Sequence, residues 1–197
     1  GIRDRDVTGV QTCALPIYVS VSVWTGLGVN PTRFSRILDS IAKHPGLRII
    51  ISAESVGPVY EFNRWGNSWK NFETNLKNIE QLNCKYSFNA TISNLTLFGL
   101  VDFYNYVGNS KVNFQLVTDP DFLALNVLDQ HSKLKINQVL THLPVDLFGV
   151  IQQSVAVDPT ELQRKNLSQY IHEFSRRRSL SLDIFPTSFN EWIANGS

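Results

Sequence analysis

The chain has 197 residues, 43% hydrophobic, 11% aromatic and 18% charged, with a formal net charge of +1. Such a composition suits one soluble globular domain or a large part of one, and near-neutrality argues against a broad nucleic-acid surface. No stretch approaches the roughly 20 apolar residues of a membrane-spanning helix, so none is expected, nor a membrane partner.

Residues 1–17 read as translated sequencing-adapter DNA. Gly1-Ile2-Arg3-Asp4 back-translates to the start of a common library primer's reverse complement, Arg5-Asp6 occupies its index, and Val7 to Ile17 continues the match. Like a fusion scar, the segment is expected to take no part in the fold, and the natural chain is expected to begin near Tyr18 with sequence missing before it. The absence of methionine agrees with a lost start codon. Without the segment the charge stays at +1 and Cys84 is the one native cysteine, too few for a disulfide framework or an all-cysteine metal site. A secretory signal would lie before Tyr18, so the cytoplasm is the default compartment.

Tyr18 to Trp24 alternates valines with serines, the period-two pattern of a strand. It closes in Thr25-Gly26-Leu27-Gly28, a glycine-permitted tight turn. Asn30 and Pro31 open a helix as cap and first residue, with Phe34, Ile37, Leu38 and Ile41 as its apolar stripe and His44-Pro45-Gly46 as its stop. Leu47 to Ile51 reads as a strand buried on both faces. After a loop from Ser52 to Gly66, Asn67 or Ser68 caps a helix carrying Trp69, Phe72, Leu76, Ile79 and Leu82. Tyr86 to Ile92 forms a strand, Leu97 to Val107 a helix, and Val112 to Val117 a further strand ended by Asp119-Pro120. Strand and helix in regular succession predict an α/β protein with right-handed crossovers and a parallel sheet. Beyond it, helices are expected around Pro144 to Gln153 and from Pro159 to Arg178, the latter capped by Asp158, with a last turn at Pro186 to Ile193.

Ligand sites in parallel α/β proteins gather at the carboxyl ends of the strands. That rule singles out Thr25, Ser52, Glu54, Ser93, Asn94, Thr118 and Asp119, although caps and turns use the same residue types. The densest constellation is Ile51 to Trp69, which holds Ser52, Glu54, Gly57-Pro58, Glu61 and Arg64. A carboxylate there can hold ribose hydroxyls or an amine, and a guanidinium can hold a carboxylate through two parallel bonds. The plainer alternative is an ion pair between Glu61 and Arg64, three residues apart on a helical turn. The run Arg176-Arg177-Arg178 reads as cations complementing a helix carboxyl end rather than as a nucleic-acid patch.

Ser52-Ala53-Glu54-Ser55-Val56-Gly57-Pro58, then Tyr60-Glu61-Phe62-Asn63-Arg64-Trp65-Gly66 and Trp69, resemble the fourth-strand segment of radical S-adenosylmethionine enzymes with a twitch or SPASM-type extension. Val21 to Gly28 is similar to the third-strand segment of that family, with Gly26 in place of its asparagine. Phe88 to Phe98 resembles the fifth strand, and Leu182-Asp183-Ile184-Phe185-Pro186 the close of twitch proteins from bacteria and their phages. The resemblance implies a partial (β/α)6 TIM-like barrel over residues 18–125, represented by its carboxyl-terminal strands, and a helical twitch-like extension over residues 126–197. It further implies that Ser52 and Glu54 lie near the ribose or amino group of S-adenosylmethionine, Arg64 near its carboxylate, and Asn94 along the same pocket.

The family binds a [4Fe-4S] cluster through CxxxCxxC after the first strand, and this chain has no such motif. Cys84, just before a strand, reads as a small buried hydrophobe, so no metal ligand is assigned. The cluster-binding part is expected upstream of Tyr18, and the chain is expected to be inactive alone. An intact parent would cleave the cofactor reductively to a 5′-deoxyadenosyl radical, with an electron donor and a peptide or small-molecule substrate as partners. Two other readings remain open. One is a different parallel-barrel enzyme, such as a phosphate-binding (β/α)8 protein, although Thr118 to Leu125 lacks the glycines of a phosphate loop. The other is a non-catalytic barrel-like binding module.

Overall fold

The computed structural model describes residues 20–82, 84–108 and 110–195. The adapter-like segment with Cys13, and Tyr18 and Val19 of the first expected strand, lie outside the described residues. Four strands, β1 Val21–Thr25, β2 Leu47–Ser52, β3 Lys85–Ile92 and β4 Val112–Leu116, form one sheet in sequential order, every pair parallel. Parallel neighbours need crossovers, and α1 Pro31–Ile41, α2 Gly57–Asn63 with α3 Trp69–Glu80, and α4 Leu100–Val107 supply them.

Right-handed crossovers that all step in one direction collect their helices on one face of the sheet. The burial pattern agrees: Ile49, Ile51, Phe88, Ala90 and Ile92 are buried, whereas Trp24, Arg48, Thr91, Asn113 and Gln115, which alternate with the buried set or its neighbours, are exposed. β2 is therefore buried on one face and not on both as its apolar run suggests, because only one face has a helical cover.

Local signals explain most element ends. The Asn30 side chain accepts from the Arg33 amide at 3.2 Å with Pro31 opening α1, and Ser68, not Asn67, caps α3. In α1 the buried stripe is Phe34 and Leu38, while Ile37 is 47% exposed. The loop expected from Ser52 to Gly66 contains α2, and the helix expected from Leu97 begins as a 3-10 turn, Thr96–Gly99, before α4.

The carboxyl-terminal part holds α5 Gln130–Val139, α6 Val145–Val155, α7 Glu161–Arg178 and α8 Thr187–Ala194. α5 was not legible as a helix, yet Asp129 caps it by accepting from the Ser132 amide at 3.0 Å. α7 starts later than expected. Thr160 rather than Asp158 is its cap, because Gln163 stands three residues on and closes a reciprocal capping box. Asp158 instead meets Lys133 at 3.3 Å. The turn expected at Pro186 to Ile193 is the full helix α8. Aromatic contacts join this part to the sheet layer: Phe62 lies 5.3 Å from Phe174 and 5.0 Å from Phe185, and Phe98 lies 5.0 Å from Phe189. One core runs through both parts. No described helix is long and apolar enough to cross a membrane.

Tyr60 is fully buried between Trp69 and Phe72, each 5.2 Å away, and its hydroxyl donates to the Gly26 carbonyl. Burial pushes that hydroxyl well above the ordinary tyrosine range. Burial, with Glu73 and Glu80 nearby, pushes Tyr106 up to about 12. A raised native value means the stabilisation is complete below the unfolded pKa, about 10, and is lost as pH rises beyond it. Tyr60 alone should then steepen the alkaline loss of stability by about 1.4 kcal/mol per pH unit. Urea denaturation of Tyr60→Phe above pH 10 should show a slope shallower by that amount, and an unchanged slope would place the Tyr60 hydroxyl in water.

Candidate functional site

All four strands run the same way, so the loops after Thr25, Ser52, Ile92 and Leu116 meet at one edge of the sheet. The first of these loops is sewn down tightly. Thr25 Oγ1 accepts from the Leu27 amide at 3.1 Å, and Leu27 adopts a left-handed φ of 57° although it is not glycine. Asn75, fully buried on α3, holds that turn by donating to the Leu27 and Val29 carbonyls at 2.7 and 2.9 Å. Gly28 has no alternative residue here, since a Cβ would stand 2.2 Å from Asn67 Cβ.

Glu54 and Arg64 form the centre of the site. Arg64 Nε donates to Glu54 Oε1 at 3.0 Å and Nη2 to Oε2 at 2.5 Å, a two-bond pair with Glu54 3% exposed. The alternative pair between Glu61 and Arg64 does not form: Glu61 accepts from the Trp69 amide, the first of α3, at 2.7 Å. Side-on pairing consumes only part of the guanidinium. Nη1 makes no hydrogen bond among the described residues, and it faces the bare Cα of Gly26, whose added Cβ would lie 3.7 Å away. The arrangement is an arginine whose orientation is set by a buried carboxylate and whose outer edge is left for an anion.

The other expected residues divide by what they touch. Ser52 is half-buried on the uncovered side of the sheet, where its hydroxyl sits at the end of β2. Asn94 is fully buried and donates to the Phe122 and Val127 carbonyls at 3.0 and 3.1 Å, pinning the loop that follows β4. Its Oδ1 is buried without a partner. Ser93 and Thr96 exchange amide-to-hydroxyl bonds at the turn before α4, and Thr118 and Asp119 are exposed.

The uncovered sheet face adds residues that had not been singled out. The register aligns Ser52 with Asn89 and Asn89 with Asn113, and next to them Thr91 with Gln115. These form a row of uncharged hydrogen-bonding groups beside the carboxyl edge, with Trp24, 61% exposed, on the same face nearer the strand starts. Alternating polar residues in Tyr86 to Ile92 and Val112 to Val117 carry the signal. Comparison with protein-family models, curated proteins and solved structures returns no match.

Among the described residues no group of three or more His, Cys, Asp and Glu side chains is placed to hold a metal ion. Cys84 is half-buried directly before β3, at the opposite edge of the sheet from Glu54, and burial pushes its thiol up.

Proposed function

We propose that this chain forms the cofactor-holding side of a partial (β/α)6 barrel in a radical S-adenosylmethionine enzyme. The observation that carries this reading is Arg64, held by buried Glu54 and presenting a free guanidinium edge beside Gly26 at the carboxyl ends of sequentially ordered parallel strands. A parallel sheet in sequential order with its crossover helices on one face is the kind of segment from which (β/α) barrels are built, and here the other face carries Ser52, Asn89 and Asn113.

The donor chemistry fits S-adenosylmethionine in part. Arg64 suits the carboxylate of the methionine moiety, and Ser52 with Asn89 suits ribose hydroxyls. Glu54 serves in this arrangement as a positioning residue for Arg64, and Asn94 as the anchor of the loop after β4. The cluster is not accommodated by this chain, which has two cysteines and no CxxxCxxC. S-adenosylmethionine would supply the hydrogen-abstracting chemistry; of this chain's residues, Arg64 would hold the carboxylate of its methionine moiety, and Ser52 with Asn89 would meet its ribose hydroxyls. A reducing cytoplasm is the compartment that suits such chemistry.

The test uses the chain together with any in-frame sequence found to adjoin Tyr18, reconstituted with iron and sulfide without oxygen. Release of 5′-deoxyadenosine from S-adenosylmethionine on reduction is the expected result. Arg64→Lys keeps the charge but loses the two-pronged geometry, so KM for the cofactor should rise about tenfold with a smaller change in kcat. A protein that forms no cluster and does not bind S-adenosylmethionine would overturn the reading.

A further inference from the structure

Along α7, Asn166, Gln169, Tyr170, Phe174 and Arg178 line one side of an open groove of about 540 Å³, and Phe122 from the loop after β4 closes it. Tyr170 stands between Phe122 and Phe174, 5.4 Å from each ring, so the floor is aromatic. At the carboxyl end of the helix the three arginines differ in what they meet. Arg176 and Arg177 both bond Glu173. Arg178 meets no carboxylate among the described residues; its guanidinium lies 3.7 Å from the Phe174 ring centre and 5.3 Å from that of Trp65.

A guanidinium laid on aromatic faces loses little further freedom on binding and keeps its N–H edge for an anion. Charge balance points the same way, since Glu173 is the one carboxylate lining the groove and is already engaged by two arginines. Asn166 and Gln169 carry side-chain amides with no hydrogen-bond partner among the described residues, and amides match the donor and acceptor of a peptide group. From Asn166 to Arg178 the helix rises about 18 Å, the span of about five residues of extended chain.

We infer that the groove along α7 binds an extended peptide of about five residues, which lays an aromatic side chain on Tyr170 and Phe174 and offers a carboxylate to Arg178. This site is separate from the Arg64 edge and does not depend on the cofactor reading.

The test is fluorescence polarisation with the full chain and three fluorescein-labelled pentapeptides of alternating alanine and phenylalanine. One ends in a glutamate and is amidated, one ends in glutamine and is amidated, and one ends in glutamine with a free carboxylate. At least one carboxylate-bearing peptide should bind about tenfold more tightly than the neutral one, and which of the two does so tells a side-chain from a terminal carboxylate. Arg178→Gln should erase that difference while circular dichroism stays unchanged. Gln169→Glu, which leaves the stacked cation in place, should weaken the carboxylate peptides selectively. Equal affinity of all three peptides, or a preference that survives both substitutions, overturns the inference.

Discussion

Replacing Arg64 with alanine should destabilise the protein by about 3 kcal/mol, because it strands a carboxylate that is 3% exposed. The reason is asymmetric: two-bond pairing only offsets the desolvation of Glu54, whereas losing the partner leaves the whole desolvation cost in place. The arginine side chain is 22% exposed, so water reaches the vacated position and the effect falls at the low end for buried pairs. For a domain of this size the melting temperature should drop by about 6–12 °C. Adding Glu54→Gln to the Arg64→Ala background should recover most of the loss, since a neutral amide no longer carries a buried charge. A double-mutant cycle by urea denaturation checks this. A loss below about 1 kcal/mol for Arg64→Ala would mean that water solvates Glu54 as well as the guanidinium does.

Phe185→Ala should cost about 3–5 kcal/mol, the range for removing a buried phenylalanine. Phe185 is 4% exposed and lies 5.0 Å from Phe62, 5.6 Å from Phe98 and 5.8 Å from Phe189, so it joins α2, the turn before α4, and α8. Its removal opens the seam between the sheet layer and the carboxyl-terminal helices. Because that seam is part of one core, amide exchange should quicken in α2 and α4 as well as in α7 and α8. Pairing it with Phe62→Ala should give less than the sum of the two losses, since the rings share a contact. Exchange that quickens in α7 and α8 alone would show the extension to be an independent unit.

The strands and the first helices were legible because each carries its own signal. Valine and serine alternate before Thr25, Asn30-Pro31 opens α1, and Trp69 to Ile79 repeats at helical spacing. Where two local signals compete, tertiary contacts choose between them. Asp158-Pro159 has the appearance of a helix start, but Thr160 has Gln163 at the right distance and captures the end. Ser52 to Gly66 is rich in breakers, and α2 forms inside it because Tyr60 and Phe62 find buried partners on other elements. The Ile-rich run of β2 suggested two covered faces, although Arg48 within it, exposed on the open face, is a residue of the run that speaks against that reading.

At the candidate site the division is similar. The residue types at the strand ends, Ser52, Glu54, Arg64 and Asn94, could be named because parallel sheets put ligands there. What each one touches could not be. Arg64 had two carboxylates within reach along the chain, Glu61 three residues before it and Glu54 ten residues before. Helical spacing favoured the nearer, yet the loop folds so that Glu61 is used up on the Trp69 amide and Glu54 is buried against the guanidinium.

By itself the sequence determined the α/β class, the order of strands and crossovers, and the segment rich in ligand-type residues, since these rest on periodicity and on caps that act within a few positions. Only the tertiary structure decided the partner of Arg64, the role of Asn94 as a loop anchor, the polar row across Ser52, Asn89 and Asn113, and the stacking of Arg178 on Phe174. Those depend on strand register and on which buried group lacks a partner, and both are settled by packing between residues far apart in the chain.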